Sequence, residues 1–327
     1  MADRRENVIN VKSSKVQAIR QRMLDSVLIL FAVGLVIYFS FASQYFLSLK
    51  NFMNILSSIS VVGIIATGMT LVMITRGIDL SVGSIIALSG CVSALLIVNY
   101  SVAWPIAILL TLFIGVVVGA FNGFLITKFN VVPFIATLGS MNIFRGIAFI
   151  LTNGQAIYVP NKVISYMGTG KLFGLIPVPA LIMIFFFVVT WVITRFTVFG
   201  RNVFAVGGNS VASRLAGIDV KKLTLVLYII TGALAAISGL VMTGLTSTAM
   251  PSAGDGYNLD TITAVYLGGN SASGGEGSVW RTFMGILIIG ILNNGMALLS
   301  VQSYWQTFVK GCLLIAAVVF DMLRRRK

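Results

Sequence analysis

Two cations, Arg145 in IFRGIAFIL and Lys310 in FVKGCLLIA, stand near the middle of long apolar runs. A charge at mid-bilayer costs on the order of 2.5–3.5 kcal/mol on insertion scales, so each must face water or find a partner inside the protein. Two roles fit: lining a polar path, or a structural tie to backbone carbonyls or to a carboxylate on another helix. Asp79 and Asp260 each stand at the start of an apolar run, where the positive end of a helix favours an anion, and they read first as caps. The chain holds no histidine, which removes the commonest proton shuttle and metal ligand. Cys91 and Cys312 lie inside apolar runs, so neither a disulfide framework nor a thiolate metal site is expected. The nearest approach to a phosphate-cradling loop, GTGKL at Gly168 to Leu172, has Ser165 in place of the first glycine and Leu172 in place of the hydroxyl. The glycine-rich LGGNSASGGEGS from Leu267 to Ser278 lacks a preceding soluble strand and a following lysine, and reads as a mobile turn. No catalytic residue, metal set or cofactor bound by this chain is expected. No set of mid-membrane carboxylates suggests an ion relay, so an autonomous secondary transporter or channel for a small polar solute lacks its usual machinery and stands only as an alternative.

The elements that carry these residues are membrane-spanning. With 57% hydrophobic and 10% charged residues, and a mean hydropathy of +0.99, the chain reads as an all-α polytopic membrane protein. Its formal charge of +14 sits at the ends of apolar runs, so it orients the chain in a bilayer rather than marking a nucleic-acid partner. At about 20 residues per crossing, roughly ten crossings are expected: 24–42, 52–74, 80–98, 103–127, 131–152, 178–194, 223–245, 259–268, 283–299 and 303–322. The eighth is too short to span unaided. If it did not cross, however, the RRRK tail at 324–327 would lie on the opposite side from most other cations, so a broken or tilted crossing held by its neighbours is expected. On this reading residues 1–23 form a cytoplasmic tail rather than a cleaved signal peptide, 24–322 form one transmembrane domain with a cytoplasmic loop at 195–222, and 323–327 form a basic cytoplasmic tail.

The halves echo one another. GAFNGFLI at Gly119 compares with GILNNGMALL at Gly290, and IFRGIAFIL at Ile143 with FVKGCLLIA at Phe308. With ten crossings these pairs run in opposite directions, as an inverted repeat requires. Gly115, Gly119 and Gly123 recur at four-residue spacing, which lets a second backbone approach closely.

Between two apolar runs lies the hydrophilic stretch FGRNVFAVGGNSVASRLAGIDVKK from Phe199 to Lys222. Asn209 or Ser210 can cap a first helical turn, Gly217 can take the left-handed residue that closes a helix, and Asp219 can cap the next run. A short exposed helix of about two turns is expected there, open to a soluble partner.

Together GMTLVMITRGIDLSVGSIIALSG from Gly68, FIATLGSMNIFRG from Phe134, FGRNVFAVGGNSVASRLAGI from Phe199 and GYNLDTITAVYLGGNSASGGEGS from Gly256 resemble the transmembrane subunits of bacterial ribose-type ABC sugar importers. The resemblance covers nearly the whole chain beyond Leu24. It implies a ten-helix permease in the bacterial inner membrane, with both termini cytoplasmic. It further implies that the permease works as a pair over a cytoplasmic ATPase that uses ATP and Mg, and is fed by a periplasmic sugar-binding protein. Asn209, Ser210, Val211, Ala212, Ser213, Arg214, Leu215, Ala216 and Gly217 match the coupling helix that docks on the ATPase. Ser210 and Val211 depart from the commoner Glu-Ala at those positions, so docking would rest on Ala212, Leu215 and the Gly217 turn rather than on an acid at 210. A neutral sugar needs hydroxyls, amides and aromatics, and the path candidates are Phe134, Thr137, Ser140, Asn142 and Phe144 on the fifth crossing with Asn293 and Asn294 on the ninth. The resemblance does not choose the sugar.

Overall fold

A computed structural model describes residues 28–271 and 273–325. They form an all-α membrane bundle. Its helices are α1 (Leu28–Ala42), α2 (Leu49–Ile74), α3 (Val82–Ala94), α4 (Trp104–Lys128), α5 (Pro133–Thr152), α6 (Lys162–Thr169) and α7 (Val178–Phe196). There follow α8 (Val198–Gly208), α9 (Ser210–Leu215), α10 (Val220–Thr246), α11 (Tyr257–Leu267), α12 (Val279–Leu298) and α13 (Ser303–Arg325). Two small antiparallel ribbons, β1 (Ile157–Tyr158) with β4 (Thr248–Ala249) and β2 (Lys171–Leu172) with β3 (Ile176–Pro177), cover one end of the bundle. Seven helices among the described residues are long and apolar enough to span a bilayer: α2, α3 with its π-helical extension to Asn99, α4, α5, α7, α10 and α12.

The direction of each helix follows from its contacts. Arg76, just beyond α2, donates from Nε to the Gly207 carbonyl at 2.9 Å and from Nη2 to Gly208 at 2.7 Å, which brings the end of α2 to the α8–α9 corner. Gly115, Gly119 and Gly123 of α4 meet Gly232, Tyr228 and Leu225 of α10 in descending order, so the two are antiparallel and α4 also ends there. A Cβ on Gly232 would press on the Gly115 carbonyl, which is why this face is built from glycine. Ile55 and Ile59 of α2 meet Gly290 of α12, and Asn51 meets Asn294, so α12 starts at the α9 end and finishes at the ribbon end. The first described helix, α1, packs Leu28 near Ile288 and Phe39 against Gly295, and therefore starts at the α9 end as well.

The eighth segment connects the two ends, as charge placement requires. Its helical part is only Tyr257–Leu267, about 16 Å long at 1.5 Å per residue. The missing length is non-helical: the chain from Met250 to Gly256 dips into the bundle, where Arg145 of α5 donates from Nη1 to the Pro251 and Ala253 carbonyls, 2.7 Å each. A second broken crossing precedes α3, which begins only at Val82. Residues 77–81 re-enter the bundle, and the Ile78 carbonyl accepts from Tyr228 Oη at 3.2 Å. Irregular backbone at this depth is tolerated because protein, not lipid, satisfies it. Gly83 and Gly254 bring the two breaks into contact.

The packing repeats with opposite sense. Where α4 lies on α10, α12 lies on α2; α3 on α5 is answered by α11 on α13, and α3 on α10 by α11 on α2. This is the inverted repeat expected from the paired sequence stretches.

Candidate functional site

Two regions of the fold bear on function. The first is the corner at Phe199–Lys222. Thr197 caps α8 by accepting from Gly200 N, so a full helix precedes the short one where a single polar loop was expected. Asn209 then caps α9, its Oδ1 accepting from the amides of Val211 and Ala212 at 3.0 Å each. Gly217 takes φ +87°, and Asp219 Oδ1 accepts from Lys222 N to start α10. Within α9 only Ser213 is buried; Ser210, Val211, Ala212 and Arg214 are exposed, Leu215 is 86% exposed, and Ala216 and Gly217 follow on the surface.

This corner is bolted to the bundle. A Cβ on Gly207 would strike the Ile74 carbonyl and crowd Gly275 N. Gly275 N itself donates to Ile74 O at 2.8 Å. The glycine-rich stretch before α12 is therefore a packed wedge, not the free turn its composition suggests: Asn270 and Ser271 are buried, and Asn270 donates to the Val265 carbonyl and to Thr282 Oγ1 while accepting from Ser278 N. Glycine is used here for close approach to α2 and α8 rather than for flexibility.

The second region is a chamber of about 400 Å³ between α2, α11, α12 and α13, lined by Asn54, Ser58, Tyr257, Asp260, Asn293, Asn294, Gln306 and Lys310 among others. The size suits a small polar molecule. Lys310 Nζ donates to Asp260 Oδ2 at 2.8 Å, so its charge is matched by a carboxylate on another helix. Asp260 is thus not a cap: the cap position of α11 belongs to Gly256, and Asp260 faces α13 instead. Asp79 does act in a cap-like way, its Oδ1 accepting from Ser81 N at 2.9 Å and Ser81 Oγ at 2.6 Å ahead of α3. Asn51 and Asn294 exchange side-chain amide bonds at 2.8 and 2.9 Å toward the ribbon end of the chamber, while Asn54 and Ser58, both exposed, lie on the α2 wall. Polar side chains on the outer face of a membrane helix need water or another polypeptide.

The α5 candidates are not brought to this chamber. Thr137 and Ser140 are buried and donate to Pro133 and Thr137 carbonyls of their own helix, with Thr137 also 3.3 Å from Ile78 O. Phe144 packs edge-on to Phe121 of α4. Phe134 and Asn142 are exposed, the latter donating to Leu138 O. Arg145 is tied to the two carbonyls of the re-entrant segment. Arg145 lies beside Gly83 of α3, where a Cβ would sit 3.8 Å from Nη2, and with no carboxylate at that position it takes backbone oxygens. Sequence reasoning missed Asn51, Asn54 and Ser58, although their three- and four-residue spacing on one face of an apolar helix was a signal.

The matches with known proteins agree with this architecture. The family model described as "Branched-chain amino acid transport system / permease component" matches residues 51–318. The chain is similar to the ribose import permease protein RbsC of Bacillus subtilis (strain 168), 45% identical over 88% of this chain and 89% of that one. It is also similar to RbsC of Escherichia coli (strain K12), 40% identical over 94% and 95%, and to the D-allose transport system permease protein AlsC of the same strain, 37% identical over 89% of each. No solved structure matches the chain. The family model over residues 51–318 and relatives 40–45% identical over most of the chain show that it belongs to this permease family and, within it, to the ribose-type ABC permeases.

Proposed function

We propose that this chain is the transmembrane subunit of an ABC importer that moves a monosaccharide, ribose or a related pentose or hexose, across the bacterial inner membrane. The relatives named for ribose and allose support the substrate class. A separate ATPase, which uses ATP and Mg, docks on α9; a periplasmic binding protein delivers the sugar at the ribbon end; both chain termini are cytoplasmic. Two copies of the permease pair with the path between them. The exposed Phe134 and Asn142 on α5 and the chamber holding Asn293 and Asn294 open toward that path, and a neutral sugar is held by amides and hydroxyls rather than by counter-charge.

The observation that carries this reading is the fixed corner. α9 presents Val211 and Leu215 outward, while α8 behind it is bonded through Gly207 and Gly208 to Arg76 and packed on Ile74 and Gly275. A force on α9 is therefore delivered to the end of α2 and the start of α12, two of the four helices that wall the chamber. Alternating access needs such a rigid lever. Vesicles containing the chain, its ATPase and its binding protein should take up labelled ribose only with ATP. Uptake by the chain alone, driven by an ion gradient, would reject this function in favour of a secondary transporter.

A further inference from the structure

A trench runs between α7 and α12 on the outside of the bundle. Its apolar part, about 500 Å³, is walled by Ile184, Phe187, Val188 and Trp191 of α7 and by Trp280 and Phe283 of α12. Phe283 fixes the floor, edge-on to Phe187 at 5.2 Å and stacked on Trp280 at 5.4 Å. At the α9 end the trench continues into a second niche of about 250 Å³, which shares Trp191 and Val279 with it and adds Thr194, Arg195, Gly277 and Ser278. Arg195 has no hydrogen-bond or ion-pair partner among the described residues.

The spacing matches half a bilayer. Ile184, Val188, Trp191 and Arg195 lie three and four residues apart, on one face of α7. From Ile184 to Arg195 is about 16 Å of helix, close to half of the roughly 30 Å hydrocarbon core. An occupant must therefore be apolar over the depth of one leaflet and anionic at the level where the helix leaves it. Any convex helix face is bathed in exchanging lipid; this recess adds aromatic walls and a fixed charge.

We infer that the trench binds one anionic phospholipid per chain, with its phosphate on Arg195 and an acyl chain along Val188, Trp191 and Phe283. The remaining cations of this end, such as Arg201 on α8, lie outside the niche and contribute only to the general field.

The test uses the full-length protein, reconstituted in vesicles of equal phosphatidylglycerol and phosphatidylcholine, re-extracted in mild detergent and weighed by native mass spectrometry. Phosphatidylglycerol should be retained over phosphatidylcholine. Arg195→Gln should lower its retention roughly fivefold, while Arg201→Gln leaves it unchanged. Val188→Trp, which fills the trench without altering charge, should lower retention too. Equal retention of the two lipids, an equal effect of the two arginine substitutions, or disulfide-linked pairs from Trp280→Cys, which would place a second copy in the trench, would each overturn the assignment.

Discussion

Replacing Lys310 with Met leaves the Asp260 carboxylate, 9% exposed, without its partner in a helix that packs on four others. Breaking a buried pair from one side costs about 3–5 kcal/mol, because the surviving charge keeps its desolvation penalty. The reverse substitution, Asp260→Asn, should cost less, about 1–2 kcal/mol, since the Lys310 side chain is 29% exposed and can be hydrated from the chamber. If both are removed, as Lys310→Met with Asp260→Asn, the double variant should lose about 2–3 kcal/mol less than the sum of the two single losses. Reversible unfolding by SDS in mixed micelles, run on the four proteins of this cycle, measures the coupling directly. Additivity within about 0.5 kcal/mol would show that the two charges do not meet, and would refute the placement of α13 against α11.

The same geometry sets three further outcomes. Arg145→Met removes two charge-assisted bonds to Pro251 and Ala253, about 1.5–3 kcal/mol each, and hydrogen exchange should rise at residues 250–256 while α4 and α10 remain protected. Gly232→Leu drives a side chain into the Gly115 carbonyl, so the yield of monodisperse protein on size exclusion should collapse, a penalty beyond about 2 kcal/mol. Asn209→Ala removes the α9 cap at a cost of about 1 kcal/mol to that helix, whereas Asn209→Asp preserves it; ATP-driven uptake should fall only in the first.

Much of the architecture was legible in local chemistry. Asn209, Gly217 and Asp219 have the roles their side chains and backbone freedom dictate, and the glycines at 115, 119 and 123 mark a close helix crossing. The charge distribution forced the eighth segment to traverse the bundle although its helix is too short. What could not be read was set by tertiary packing. The break before α3 carries no proline; it exists because Tyr228, Asn122 and Thr137 from three other helices satisfy residues 78–81. Likewise the stretch 267–278 looked mobile because glycine signals freedom and close approach alike, and only contact with Ile74 and Gly207 separates the two. The α5 path candidates were drawn from residue type, which cannot tell an outward Asn142 from a Ser140 bonded within its own helix.

The coupling role proposed for α9 is tested most directly by Leu215→Asp. Leu215 is 86% exposed, so changing it leaves the packed bundle intact. Co-purification with the ATPase and ATP-driven ribose uptake in reconstituted vesicles should both be lost, while thermal stability of the permease and binding of the sugar-binding protein stay at the wild-type level. Wild-type uptake by the Leu215→Asp protein, with its ATPase contact abolished, would contradict transmission through this helix.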